Sequence, residues 1–225
     1  MHEGHRERLK ARFIKEGLAG FEPHQVLELL LFYANPRSDT NVTAHRLIER
    51  FGCLSEVMNA PVSELRKVEG IGEHSAVLLH MLPGLFRMYA DDCANYEGIA
   101  THDKLGEFIK NKFLGEQAER ILLVLLDNRF RVLGAEFISQ GTVNSATVDM
   151  KRLMDLCIRY NATAAILAHN HPRGFALPSL EDVSTTVTVK EALELVRVRL
   201  VDHLVVAGGD YVSMASSEKF SELFG

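Results

Sequence analysis

The stretch Ala168-His169-Asn170-His171-Pro172 is followed, a short loop later, by Ser179 and Asp182. In extended backbone, two histidines separated by one residue present their imidazoles on the same side, and Asn170 points to the other side. Ser179 suits the N-cap of a helix, and Asp182 then falls in the first turn of that helix. Two imidazole nitrogens and one carboxylate oxygen suit a zinc ion that keeps its fourth position open for water. The stretch therefore predicts a metal site where a strand meets a helix.

The segments around this stretch predict a mixed α/β arrangement. Small and branched residues at 163–168 predict a strand that brings both histidines to its carboxyl end, where α/β folds place their sites. A continuous apolar run at 120–126 predicts a buried central strand, and 132–138 returns beside it as a hairpin partner. Helices are predicted at 104–114, at 149–160 and from Ser179 to about residue 196, and two strands follow. This order predicts a mixed sheet with helices packed on it.

The first 90 residues predict a separate helical domain. A tight turn, Gly70-Ile71-Gly72, lies between a short helix and a long one, and it resembles the helix-hairpin-helix motif. That motif offers backbone N–H groups to a nucleic-acid phosphate in many proteins. Glu73 follows the turn and would repel a phosphate, and residues 1–90 carry as many acidic as basic side chains, whereas DNA affinity rests on phosphate neutralisation. A structural helix pair or a protein-docking module is therefore the alternative.

The composition limits the class of protein. A chain of 225 residues with a net charge of -5 is long enough for two small domains and does not carry a chain-wide nucleic-acid footprint. The three cysteines are widely spaced, which argues against a disulfide framework or a thiolate zinc site and favours a reducing cytoplasm. The N-terminus lacks the apolar core of a signal peptide, and no apolar run approaches the roughly 20 residues of a membrane span. The acidic stretch at 91–100 predicts a linker between a domain at 1–90 and one at 101–225.

The whole sequence resembles the RadC-like family, whose C-terminal domain belongs to the JAMM (JAB/MPN) metallohydrolases. The family pattern is an upstream glutamate, then His-x-His, seven residues, a serine, two residues and an aspartate. The matching positions of this chain are His169, His171, Ser179 and Asp182. The glutamate that fits the pattern is Glu136. The chain departs from the family where many members have His-Pro-Arg before a helix, because Asp149-Met150-Lys151 stands there.

The resemblance implies a fold, a cofactor and a reaction. The fold would be a mixed-sheet α/β/α JAB/MPN domain, similar to that of cytidine deaminases, preceded by the all-α helix-hairpin-helix domain. Zn²⁺ would be held by His169, His171 and Asp182, and Glu136 would act as general base and then general acid. Ser179 would donate a hydrogen bond to the oxyanion, unless its role is only that of a helix cap. The substrate would be a protein or peptide cleaved at a peptide or isopeptide bond.

Other metal chemistries and one other function compete with this interpretation. The sequence contains no His-Glu-x-x-His, which excludes the zincin proteases, and no Pro-Cys-x-x-Cys, which excludes the nucleobase deaminases. His203, a lone histidine on a strand, is predicted to be structural, and Cys157 is predicted to lie in the core. The alternative function is a DNA-associated accessory or repair protein that makes a weak nucleic-acid contact through Gly70, Ile71 and Gly72.

Overall fold

The computed structural model describes residues 2–36, 38–93, 102–142 and 145–224. The chain folds into two units, Met1–Phe86 and Arg87–Gly225. The predicted linker at 91–100 falls largely outside the described residues. The described part of this stretch, 91–93, forms the end of a helix that begins at Glu73. Within the described part of the chain, no helix is both long and apolar enough to cross a membrane.

The N-terminal unit consists of helices. They are α1 (His2–Glu16), α2 (Pro23–Ala34), α3 (Thr40–Phe51), α4 (Leu54–Asn59), α5 (Val62–Leu65) and α6 (Glu73–Cys93), of which the last continues into the second unit. Pro23 begins α2, in the first turn where its missing N–H costs nothing. Leu27 and Leu31 of this helix are completely buried, together with Leu47 and Leu65. The unit therefore has a hydrophobic core of its own.

The C-terminal unit is built on a five-stranded mixed sheet in the order β2-β1-β5-β6-β7. Its elements are α7 (His102–Lys112), β1 (Ile121–Leu126), β2 (Val132–Phe137), β3 (Ser139–Thr142), β4 (Ser145–Val148), α8 (Met150–Arg159), β5 (Ala164–Asn170), α9 (Leu180–Leu195), β6 (Arg199–Ala207) and β7 (Asp210–Ser213), followed by a 3₁₀ helix (Ser221–Phe224). Strand β1 is antiparallel to β2 and β5, β5 is parallel to β6, and β6 is antiparallel to β7. The predicted mixed sheet is confirmed.

Helices cover both faces of this sheet. Alternate residues of β1 and β5, such as Leu122 and Ile166, pack with α7 on one face. The other residues of these strands, such as Leu123 and Leu167, pack with α8 and α9 on the opposite face. Cys157 lies in this second core, 2% exposed, as the sequence predicted. The unit is therefore a three-layer α/β/α structure. Every second side chain of β5, counted from Leu167, points towards α8 and α9.

A small hairpin that the sequence pattern did not predict precedes α8. Strands β3 and β4 pair antiparallel, with Ser139 opposite Val148, and they form a separate two-stranded sheet. Both strands are short and mostly polar or small, so they lack the apolar alternation that marks a half-buried strand. Tertiary context decides their conformation.

Asp149-Met150-Lys151, which stands where many family members have His-Pro-Arg, lies at the start of α8. Asp149 is the N-cap of this helix, and its carboxylate accepts the amide of Arg152 at 3.0 Å. Alanine at position 149 is therefore expected to lower the free energy of unfolding by about 1 kcal/mol, as measured by denaturant titration. Asp155→Ala, on the exposed side of the same helix, is the matched control and should change stability by less than about 0.5 kcal/mol. If the two substitutions lowered the free energy of unfolding equally, Asp149 would not stabilise α8 as its N-cap.

Candidate metal centre

Strand β5 and helix α9 place the three predicted ligands together. His169 lies in β5 on the face that packs against α9, and His171 follows the end of the strand. Ser179 is the N-cap of α9, and Asp182 completes a capping box with it. Nε2 of His169 lies 2.9 Å from Nε2 of His171 and 3.0 Å from Oδ1 of Asp182. Nε2 of His171 lies 3.8 Å from Oδ2 of Asp182.

The donor atoms of this group suit a metal ion. Nδ1 of His171 lies 3.0 Å from the carbonyl oxygen of Phe175, which can only accept, so we assign the hydrogen of the neutral ring to Nδ1. Nε2 of His171 then carries a bare lone pair that faces the Asp182 carboxylate, and a cation between these two acceptors would satisfy both of them. Ligands held at about 2.0 Å by a tetrahedral ion lie about 3.3 Å apart. The separations of 2.9, 3.0 and 3.8 Å surround that value.

The Asp182 carboxylate is held in its charged form. Burial alone would raise the pKa of this carboxyl, but the hydrogen bond and the charge of His169 in its protonated form, with hydrogen bonds from Ser179, keep that pKa well below its ordinary value. The amide and the hydroxyl of Ser179 both donate to Oδ2 of Asp182 at 2.7 Å. The amide of Asp182 donates in return to the Ser179 hydroxyl oxygen at 3.1 Å. The Ser179 hydroxyl gives its hydrogen to Asp182, so it caps the helix and supports the predicted ligand. Its donation to an oxyanion stays a prediction.

A fourth residue, which the sequence pattern did not single out, joins the two histidines. A carboxylate oxygen of Glu119 and one ring nitrogen each of His169 and His171 lie within 4.8 Å of one another. The register of the sheet explains this position. Strand β1 is antiparallel to β5 with Ile121 opposite His169, so the residues just before β1 lie beside the end of β5. The only local signal for Glu119 was a carboxylate immediately before the first buried strand.

Asn170 fixes the segment that carries Glu119. Its Oδ1 accepts the amide of Arg120 at 2.7 Å, and its Nδ2 donates to the carbonyl of Ala118 at 3.1 Å. These bonds hold the backbone on both sides of Glu119, and Asn170 is only 4% exposed. The predicted orientation of Asn170, away from the imidazoles, agrees with these contacts. The middle residue of His169-Asn170-His171 therefore connects the histidine stretch to the Glu119 segment.

Glu136, the glutamate selected from the family pattern, is not part of this group. It lies on β2 opposite Leu123, which is itself opposite Leu167 of β5. Glu136 therefore lies two strands away from β5, about 10 Å between backbones. Along the strands, its position is two residue pairs further from the end of β5 than that of His169. Its carboxylate accepts the Tyr160 hydroxyl at 3.3 Å and lies 3.5 Å from the Arg152 guanidinium, both on the α8 side. The structure thus brings Glu119, and not Glu136, beside the two histidines.

His203, predicted to be structural, lies directly behind His169. It is 1% exposed, and its Nε2 lies 2.9 Å from Nδ1 of His169. Its Nδ1 lies 2.6 Å from Oγ1 of Thr186 on α9. Burial, with a smaller effect from the charge of His169, lowers the pKa of His203 to about 3. No sequence pattern indicates this contact, because the pairing of β5 with β6 brings together residues that are far apart in the chain.

This lowered pKa predicts a loss of stability in acid. The unfolded chain binds a proton at His203 below about pH 6.5, whereas the folded chain does not until about pH 3, so stability is complete above pH 6.5 and falls below it. Urea unfolding of the metal-free protein should show a loss from this group of about 2 to 3 kcal/mol between pH 7.5 and pH 4.5. His203→Gln should lose correspondingly less over the same interval. Parallel pH profiles for the two proteins would contradict the prediction.

The Gly70–Gly72 turn lies in the N-terminal unit, and two of its amides already have partners. Gly70 has a positive φ of 93°, which a side chain would strain. The amide of Ile71 donates to the carbonyl of Val68 at 3.0 Å, and that of Gly72 donates to the Ser75 hydroxyl at 3.3 Å. The turn is therefore satisfied internally at Ile71 and Gly72.

Comparison with known proteins agrees with this architecture. The family model of the RadC-like JAB domain matches residues 99–219. The chain is also 31% identical over 220 residues to UPF0758 protein FN0909 of Fusobacterium nucleatum, an alignment that covers 94% of this chain and 95% of that protein. The matched segment includes Glu119, both histidines and Asp182. The similarity of the C-terminal unit, and of nearly the whole chain, confirms that this protein belongs to the RadC-like JAB-domain family.

Proposed function

We propose that this protein is a zinc-dependent hydrolase of the JAMM type that cleaves a peptide or isopeptide amide bond in a protein or peptide. The observation that carries the proposal is the convergence of His169, His171 and Asp182 with the Glu119 carboxylate beside them. The His171 side chain is 23% exposed, so the group can be reached from solvent. Membership of a JAB-domain family supports hydrolysis as the reaction class.

The ligand set favours zinc. Nε2 of His169, Nε2 of His171 and the Asp182 carboxylate would supply two nitrogens and one oxygen, and three protein ligands are the usual number in a catalytic zinc site. When bound, the ion supplies a Lewis acid that polarises water and the substrate carbonyl. Asp182 is presented by the rigid first turn of α9, and Ser179 keeps it in place through the capping box. The protein thus fixes the ligands before the ion binds.

Proton transfer is assigned to Glu119 in place of Glu136. The Glu119 carboxylate lies beside the ring nitrogens of both histidines, where it can take a proton from the attacking water and return it to the leaving amine. Asn170 holds the backbone on both sides of this residue, so the carboxylate is anchored from the same strand end that carries the ligands. A fixed base of this kind avoids the entropy that a mobile one would lose in each turnover.

Metal content and metal-dependent cleavage test the proposal. Elemental analysis of the purified protein should find about one zinc ion per chain. Cleavage of a peptide library, and of isopeptide-linked peptides, should stop when a chelator is added and return when zinc is restored. The substitution His74→Ala, at an exposed histidine in the first turn of α6, serves as the control and should change neither result. A chain that binds no divalent metal, or cleavage that persists without metal, would refute the proposal.

Nucleic-acid contact at Gly70–Gly72 stays a prediction, and so does the helix-hairpin-helix assignment of the N-terminal unit. Two arginines of α3 near this turn are already paired, Arg46 with Glu69 and Arg50 with Glu64. They line a cavity of about 350 Å³ in which acidic side chains balance the basic ones. We therefore expect the full chain not to retard short duplex or single-stranded DNA at low salt. Retardation that weakens steeply with added salt would favour the DNA-associated alternative.

A further inference from the structure

A continuous set of buried hydrogen bonds joins the first metal ligand to the third. Behind His169, the contact from Nδ1 to Nε2 of His203 is 2.9 Å, and that from Nδ1 of His203 to Oγ1 of Thr186 is 2.6 Å. Oγ1 of Thr186 lies 2.6 Å from the backbone carbonyl oxygen of Asp182, one helical turn earlier. His203 is 1% exposed and Thr186 is completely buried. No part of the proposed reaction uses either residue directly.

The chemistry of the last contact sets the direction of all three hydrogen bonds. The carbonyl oxygen of Asp182 can only accept, so the single hydroxyl hydrogen of Thr186 is donated to it. Oγ1 of Thr186 must then accept from Nδ1–H of His203. With its one hydrogen on Nδ1, the neutral His203 ring has a bare Nε2, which accepts from Nδ1–H of His169. The hydrogen positions are thus assigned from the network, starting at a group whose role is unambiguous.

We propose that His203 and Thr186 are positioning residues that hold the hydrogen of His169 on Nδ1 and thereby keep its Nε2 lone pair free for the metal. The proposal rests on the proposed function, because it assigns these residues to the same metal site. The three bonds also form a continuous chain from His169 on β5, through β6 and α9, to the backbone of Asp182. One small network therefore sets the tautomer of one ligand and its position relative to another.

The arrangement explains why a polar pair occupies a tightly packed region. Two buried polar side chains cost free energy unless each hydrogen-bonding group is satisfied, and here each contact has one donor and one acceptor. Met214, which is also buried, contacts Oγ1 of Thr186 through its sulfur at 3.8 Å, a distance that leaves the hydroxyl hydrogen to the much closer carbonyl. Partners that orient a ligating imidazole commonly contribute about 10- to 100-fold to metal affinity.

Matched substitutions at Thr186 test the inference with zinc alone, in competition with a chromophoric chelator. Thr186→Val keeps the shape of the side chain but removes the hydroxyl, and zinc should bind about 10-fold more weakly or worse. Thr186→Ser keeps the hydroxyl and should bind within about threefold of the unmodified protein. Thermal unfolding of the metal-free variants reports whether each is folded. Equal zinc affinity of folded Thr186→Val and Thr186→Ser would overturn the proposal.

Substitutions at His203 give a second comparison, which does not depend on the fold of the Thr186 variants. His203→Gln can place an acceptor oxygen near the position of Nε2, whereas His203→Leu removes the acceptor at similar size. Zinc affinity should fall about 10- to 100-fold in His203→Leu and be largely recovered in His203→Gln. If the glutamine and leucine variants bound zinc equally tightly, hydrogen bonding to His169 would have no role in affinity.

The position of the ring hydrogen is the readout that a purely structural role would leave unchanged. Nitrogen-15 NMR of the metal-free protein at pH 8 should show His169 protonated at Nδ1, with that preference reduced in Thr186→Val. This measurement needs neither metal nor substrate, so it separates the two proposals. If the unmodified protein binds no zinc but His169 keeps Nδ1–H, the proposed function fails and the network stands. A His169 protonated only at Nε2 would overturn the network itself.

Discussion

Glutamine in place of Glu119 is expected to slow hydrolysis by about 100- to 10,000-fold, the usual contribution of a positioned general acid or base. The amide has nearly the same size as the carboxylate, but it cannot take a proton from water. Zinc content should stay near that of the unmodified protein, because His169, His171 and Asp182 are unchanged. The rate is measured on the best substrate from the peptide library, and the metal is measured by elemental analysis of the same sample.

Glu136→Gln is the matched control for this experiment. Its carboxylate contacts Tyr160 and Arg152 and does not join the histidines, so the variant should hydrolyse the same peptide at close to the unmodified rate. If instead activity were lost in Glu136→Gln and kept in Glu119→Gln, the general base would be Glu136, the residue selected from the sequence pattern. Loss of zinc together with activity in Glu119→Gln would make Glu119 a metal ligand and leave the general base unassigned.

The convergence of the three predicted ligands could be anticipated from the sequence because it depends mainly on local geometry. His169 and His171 share a side of extended backbone whatever strand lies next to them. Ser179 and Asp182 form a capping box, whose spacing is a property of any helix start. Only the approach of α9 to β5 needs tertiary structure, and the short loop between them leaves few alternatives. Local rules were therefore sufficient for this part of the site.

Glu119 could not be predicted in the same way, because its position depends on the order and direction of strands. It comes near His169 only because β1 lies next to β5 and runs antiparallel to it, with Ile121 opposite His169. The sequence predicts both strands from their apolar and branched residues, but strands of this type carry no pattern that specifies their neighbours. Glu136 had the spacing expected from the resemblance, yet its strand lies on the far side of β1.

His203 and Thr186 illustrate the same limit for buried polar residues. A lone histidine on an apolar strand predicts a satisfied core residue, and its complete burial agrees with that prediction. What the sequence could not predict was the partner, since His169 and Thr186 meet His203 from two other elements. The fold class, by contrast, followed from the order of apolar runs and helices, and the polar β3–β4 hairpin escaped detection because it has no such run.

Alanine in place of His171 is expected to weaken zinc binding by more than about 100-fold, since loss of a partner that merely orients a ligand already costs about 10- to 100-fold. At a zinc concentration of about 100 times the unmodified dissociation constant, the ion should stabilise the unmodified protein by about 2.7 kcal/mol. For a variant that binds about 100-fold more weakly, the same concentration gives only about 0.4 kcal/mol. Unfolding with and without zinc measures both values.

The metal-free protein should fold normally with alanine at position 171. A smaller stabilisation by zinc in this variant would therefore report weaker zinc binding. His171 follows the end of β5, is partly exposed, and contributes to neither hydrophobic face of the sheet. Outside the metal group, its ring donates a hydrogen bond to the carbonyl of Phe175. His74→Ala should retain the full zinc-dependent stabilisation. If His171→Ala retained it as well, the bare Nε2 that faces Asp182 would not be a ligand, and the assignment of the metal centre to this strand end would be wrong.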